Sequence, residues 1–218
     1  DGGKTFSHAR AIIHTAPIMF AVQTLERANG FPQIGIDPRT KRLYVTWSDY
    51  RNGDLDVFIS RSDDGGKRWS EAARVNNDPI HNGAEQFFQW LAVDPTDGSV
   101  NVLFYDRRGD PRNQKQIVAL ARSTDAGHTF KNYSWTDDPF EASGVFFGDY
   151  TGLAAYGGRV YGVWMEKPAP PPAPAAQAAP ESKKPEESKE VKETKETKPQ
   201  PRGTIVKVGT ADFSTQTK

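Results

Sequence analysis

The stretch Ser62-Asp63-Asp64-Gly65-Gly66-Lys67-Arg68-Trp69 decides the fold, because the chain writes it again as Ser123-Thr124-Asp125-Ala126-Gly127-His128-Thr129-Phe130. A shorter copy is Asp1-Gly2-Gly3-Lys4-Thr5-Phe6. The equivalent aspartates Asp1, Asp64 and Asp125 stand 63 and 61 residues apart. A second pattern travels with the first. Ile34-Gly35-Ile36-Asp37-Pro38 returns as Leu91-Ala92-Val93-Asp94-Pro95, and the run from Tyr44 to Asp49 returns as the run from Asn101 to Asp106. A third copy reads Gly152 to Tyr156 and then Val160 to Glu166. Two markers that keep one order and one period define a tandem repeat.

Each unit reads as four short strands of β-branched and aromatic residues. In the clearest copy they span residues 33–37, 43–49, 56–62 and 68–75. Turn residues separate them at Asp37-Pro38, at Arg51 to Asp54, and at Gly65-Gly66. No segment carries a 3.6-residue apolar stripe of helical length. The expected fold is all-β, a β-propeller of four-stranded antiparallel blades, with about three blades present. An immunoglobulin-like sandwich would also use short strands, but it gives no reason for a repeat of this period.

The repeated pattern Ser/Thr-x-Asp-x-Gly-x-Thr/Ser-Trp/Phe resembles the Asp-box, or BNR repeat, of the sialidase-like β-propeller superfamily. Ser62, Asp64, Gly66 and Trp69 match it, with Arg68 departing at the Thr/Ser position. Ser123, Asp125, Gly127, Thr129 and Phe130 match in full, and Asp1, Gly3, Thr5 and Phe6 match as far as that copy goes. The resemblance covers all but residues 168–202 and implies part of a six-bladed propeller. It also implies a structural role for the boxes. Physically, the aspartate accepts N–H bonds across its own turn, glycine supplies the unusual φ, and the ring staples the turn to the blade. Calcium binding by Asp63 and Asp64 fits poorly, since one short turn offers too few oxygens.

By the same resemblance, ligands belong on the face opposite the boxes. Residues 49–54 and 106–110 fall there, with the blade crossings 76–87 and 136–150. Arg51 and Arg108 are the expected ligand-binding residues, since a guanidinium holds a carboxylate in bidentate fashion. Asp106 or Asp149 is the candidate acid, and Tyr150 the candidate nucleophile or stacking surface. The same residues equally suit plain loop chemistry, in which Asp–Arg pairs pin hairpins. Sialidases carry an Arg-Ile-Pro segment near the start of the propeller, and the comparable Gly30-Phe31-Pro32-Gln33-Ile34 has no arginine. The resemblance implies part of a secreted carbohydrate-active protein, of exo-α-sialidase or other glycoside hydrolase type, that recognises acidic glycans. The alternative is a non-catalytic propeller that binds glycan or protein. Expected partners are a glycan or glycoprotein and the remaining propeller blades of a longer chain. The expected location is extracellular, periplasmic or on a bacterial surface.

Composition narrows the field further. Lys+Arg and Asp+Glu both number 28, so no overall basic field attracts nucleic acid. No run approaches the roughly 18 apolar residues that would insert a helix into a membrane. With 0 cysteines, disulfide frameworks, Cys-zinc sites and thiol catalysis are excluded. The 4 histidines show no metal-ligand pairing and no glycine-rich phosphate loop is present, so no metal or cofactor is expected. Asn132-Tyr133-Ser134 is a formal glycosylation sequon. Residues 168–202 run from Pro/Ala into Lys/Glu repeats and have little to bury. The expected division is propeller blades over 1–167, a disordered insertion over 168–202, and the remaining strand or strands of the last blade over 203–218. In that register Asp212 takes the place of Asp64, which puts the insertion inside a blade hairpin.

Overall fold

The structure, a computed structural model, describes residues 1–16, 22–25, 28, 30–136, 138–144, 146–168 and 203–215. Twelve strands follow one another: β1 (Gln33–Ile36), β2 (Leu43–Asp49), β3 (Asp56–Ser62), β4 (Ala73–Arg74), β5 (Gln86–Val93), β6 (Val100–Asp106), β7 (Lys115–Ser123), β8 (Lys131–Ser134), β9 (Phe140–Glu141), β10 (Gly152–Tyr156), β11 (Arg159–Glu166) and β12 (Ile205–Asp212). No helix occurs among the described residues. The strands form three antiparallel meanders, β1-β2-β3-β4, β5-β6-β7-β8 with β9 added to β7, and β10-β11-β12. The chain is a partial propeller of three blades.

Period-two alternation sends one set of side chains to each face of a blade. At the first seam Tyr44, Val57 and Ile59 pack against Leu91, Val100, Val102 and Phe104. At the second, Leu103 and Val118 meet Trp164, and Leu120 meets Val160. The same alternation makes both central strands of a blade apolar on two faces. The sequence places the fourth strand of the first blade over 68–75, whereas β4 has two residues. Ser70 explains the shortening: its N–H donates to Arg61 O at 2.9 Å and its carbonyl accepts Ser60 Oγ at 2.8 Å, so the chain is still closing the turn there.

The repeated motif forms the same turn twice. Ser62 Oγ donates to Asp64 Oδ1 at 3.0 Å, Gly66 N–H to Ser62 Oγ at 2.8 Å, and Arg68 N–H to Asp64 Oδ1 at 2.8 Å. The second copy has Ser123 to Asp125 at 2.7 Å, Gly127 to Ser123 at 2.8 Å, and Thr129 to Asp125 at 3.0 Å. Gly66 and Gly127 are left-handed at φ 81 and 77, where a side chain would be strained. Trp69 packs beside Val45, Trp47 and Phe58, and Phe130 beside the first seam, so each ring ties its turn to the core.

β12 pairs with β11 from Glu166↔Ile205 to Arg159↔Asp212, so the strand after the Lys/Glu-rich stretch lies directly beside the strand before it. The expected character of that stretch falls on residues 169–202, outside the described residues. The expected place of Asp212 needs correction. Trp47 Nε1 donates to Asp49 Oδ2 at 2.9 Å and Trp164 Nε1 to Glu166 Oε1 at 2.7 Å, which equates Leu43 with Val160. Leu43 faces Ser62, and Val160 faces Ala211. Asp212 therefore stands one residue short of the position of Asp64. It accepts the Ser214 N–H at 2.9 Å and closes a tighter turn than the motif does.

Candidate functional site

Gln33 faces Thr46 near the end of β2, while Ile36 and Ser62 both meet Leu43 at its start. The strand entries and the β2–β3 loops therefore share one end of the blade, and the turn motifs occupy the other. Three clusters form at or near the first end.

The first cluster is a clamp repeated in two blades. Buried Asp49 and Asp106 end β2 and β6, and an arginine two residues on folds back over each. Arg51 Nη2 reaches Asp49 Oδ2 at 2.6 Å and Nε reaches Oδ1 at 2.9 Å, with the guanidinium 4.5 Å over the Phe58 ring. Arg108 Nε donates to Asp106 Oδ2, and its other nitrogens donate to Asn77 Oδ1 and, at 2.9 Å, to Asn132 Oδ1. Burial pushes the Asp106 carboxyl above the usual range, opposed by Arg108. Burial acts the same way on Asp49, but the bonds from Arg51 and Trp47 outweigh it and hold that group low. The structure thus joins Asp106 to Arg108 and gives Arg51 a different carboxylate, with Nε and Nη2 of Arg51 and all three side-chain nitrogens of Arg108 engaged inside the protein. Asn132 Nδ2 donates to Val75 O at 3.0 Å, so the sequon asparagine is a seam contact.

The second cluster holds Asp149 and Tyr150. Tyr150 stacks on Phe31 with centroids 5.6 Å apart at 22° and meets Trp90 edge-on at 6.4 Å and 89°. A shallow depression there is lined by Phe31, Gln33, Phe88, Gln89, Trp90, Asp149, Tyr150 and Thr151. Phe31 precedes β1 and Tyr150 precedes β10. Trp90 lies in β5 just past a register shift between Phe87 and Trp90, where Phe88 takes φ 53. Bonds between blades fix the three entries together: Gln89 Nε2 to Phe31 O at 2.6 Å, Leu91 N–H to Gln33 Oε1 at 2.8 Å, and Thr151 Oγ1 to Phe88 O at 3.1 Å. Phe31 and Tyr150 are exposed. Phe31 and Trp90 are absent from the sequence-based set, although a signal existed. Phe31, Phe88 and Tyr150 stand at one place, three residues before Ile34, Leu91 and Leu153.

The third cluster is buried. Tyr50 OH donates to Glu85 Oε1 at 2.8 Å, and Arg107 Nη1 lies 3.8 Å from Glu85 Oε2. Arg107 is fully buried and donates to Gln23 O and Asn113 O, both at 2.7 Å. Burial lowers its pKa to about 10, against the opposing charge of Glu85. Burial, then the bond to Glu85, pushes the Tyr50 phenol up. Away from these clusters, a groove of about 800 Å³ runs between the second and third blades, beside the Trp135–Trp164 stack. None of the expected site residues lines it. Among the described residues no group of three or more His, Asp or Glu is placed to hold a metal ion.

No protein-family model and no curated protein sequence matches the chain. Solved structures do resemble it. A Hadza microbial sialidase is 17% identical with a TM-score of 0.46, over 64% of this chain and 32% of that one. A Penicillium chrysogenum α-L-arabinanase is 20% identical with a TM-score of 0.49, over 70% and 44%. An α-L-arabinofuranosidase from Fusarium graminearum is 18% identical with a TM-score of 0.49, over 76% and 46%. The chain spans from 32% to 46% of the length of these proteins. The fold assignment rests on the strand register and the seams.

Proposed function

We propose that the chain is part of a sialidase-like, carbohydrate-active propeller, and that the end bearing Phe31, Trp90 and Tyr150 binds glycan. The observation that carries this reading is the exposed, stacked aromatic platform held by bonds between three blades. A sugar ring offers apolar C–H faces to aromatic rings, and the polar groups of Gln33, Gln89 and Asp149 border the same depression. The serine–aspartate turns support the Asp-box reading, and with it a secreted or surface setting. Recognition without turnover is favoured, because Asp106, Arg108 and Arg51 are engaged with protein groups. In an enzymatic version Asp149 would be the acid, and Tyr150 the nucleophile or stacking surface.

Calorimetric titration with arabino-, galacto- and sialo-oligosaccharides tests the proposal. Phe31→Ala and Tyr150→Ala should each weaken binding about tenfold, about 1.4 kcal/mol. Unchanged affinity in both variants overturns the assignment of this end. Sialoside or arabinoside turnover by the wild type that is lost in Asp149→Asn would replace the binding module with an enzyme.

A further inference from the structure

Among the described residues, five buried side-chain atoms have no hydrogen-bond partner: Ser48 Oγ, Asp54 Oδ1, Glu85 Oε2, Gln89 Oε1 and Gln116 Nε2. Four of these residues line neither the depression at the aromatic platform nor the groove between the second and third blades. The exception is Gln89, which lines the depression and is 3% exposed. Its amide cannot turn over. Nε2 donates to Phe31 O at 2.6 Å, and a carbonyl oxygen only accepts, so Oε1 is the atom left over. A buried acceptor without a donor is costly, and it calls for an explanation.

The backbone of β5 puts Gln89 there. Phe87 faces Tyr105 and Trp90 faces Leu103, so Phe88 and Gln89 together oppose Phe104 alone. Such a bulge re-aims the side chains it carries. It needs Phe88 at φ 53, a left-handed conformation that is strained for a bulky residue. Both neighbouring blades hold it in place, Phe31 O through Gln89, and Thr151 Oγ1 through Phe88 O.

Three features of the depression define what fits it. Its space is about 10 Å³, the size of one water molecule or one hydroxyl group. Its rim is aromatic, with Phe31 and Tyr150 stacked and Trp90 edge-on. None of the residues lining it is Lys, Arg or His. A hydroxyl on a sugar ring seated against the rim fills that space and can donate to an acceptor. A carboxylate does neither, since it carries a second oxygen, only accepts, and meets no cation in the lining.

We infer that this end selects neutral glycans over acidic ones, and that Gln89 sets the choice by accepting one sugar hydroxyl at Oε1. The inference rests on the glycan-binding reading above and narrows it. It departs from the acidic glycan implied by resemblance, because Arg51 and Arg108 are held by Asp49 and Asp106. A site built round a substrate hydroxyl discriminates steeply, since an analogue without it leaves the buried acceptor unpaired again.

Calorimetric titration with two matched pairs tests this, galactobiose against digalacturonate and lactose against sialyllactose. The neutral member of each pair should bind at least about tenfold tighter. Among monodeoxy derivatives of galactobiose, one should bind the wild type about tenfold more weakly than the parent sugar. In Gln89→Met, which keeps the length of the side chain, that derivative and the parent should bind alike, because both lack the same bond. A purely structural role for Gln89 would weaken both sugars equally and preserve the difference between them, which overturns its assignment. If Gln89→Met fails to fold, the two pairs decide on the wild type alone. Acidic members that bind as tightly as neutral ones, both weakened by Tyr150→Ala, overturn this inference and leave the glycan-binding reading standing. No binding of any of these sugars overturns both.

Discussion

Arg108 lies two residues from Asp106 but holds Asn77 and Asn132 as well, 31 and 24 residues away. Sequence spacing shows the first relation and hides the other two, which exist only once two blades are packed. Arg108→Ala would leave a buried carboxylate without its cation. It should cost about 3 kcal/mol in urea unfolding, and Arg108→Lys should restore only part, because an ammonium cannot span the fork. Asp125 behaves in the opposite sense with pH. Burial would raise its pKa, but the bonds from Thr129, Ser123 and His128 outweigh that and hold it at about 2. A folded value below the ordinary one of about 3.9 means stability that is full above that value and is lost as pH falls through the folded one. Asp125→Asn should therefore cost about 1 kcal/mol at pH 7, with the difference from wild type shrinking steadily between about pH 4 and pH 2. A gap that stays constant over that range would deny the carboxylate its role.

Among the elements, β2, β3, β6 and β7 were legible because alternating apolar residues and turn signals both bound them. The fourth strand was expected, but over 68–75 where β4 holds only Ala73–Arg74, and β9 was not, since two to four residues carry no periodic signal and form only by pairing with a completed neighbour. The two glycines Gly162 and Gly209 pass unnoticed in the sequence for a similar reason. A Cβ on Gly162 would come within 2.5 Å of the Trp135 ring, and one on Gly209 within 2.6 Å of Trp164. They are the slot that admits the stacked pair between the second and third blades. Gly162→Val should lower stability by about 2 kcal/mol and shift the tryptophan fluorescence, whereas Gly109→Ala, in open space and outside the left-handed region, changes neither packing nor spectrum.

At the scale of the whole molecule, the tandem repeat made the blades readable and left the site obscure. All five candidate functional residues sit in clamps or at a platform whose other members, Phe31 and Trp90, lie 119 and 60 residues from Tyr150 in sequence. Only the convergence of three inner strands puts them together.

The slip in β5 bears on direction. Were the repeats perfect, every blade would show the mouth of the ring the same side chain, and a chain-like ligand could settle in several rotations of equal energy. Gln33, Trp90 and Gly152 stand at one position in the three blades, yet only the middle one follows a displaced register. It projects a tryptophan ring toward Tyr150, where the other two positions carry none. One blade is thereby marked. A glycan bound there as proposed would meet an asymmetric floor, so its two ends would not be interchangeable, and the polarity of binding would follow from a single extra residue of backbone.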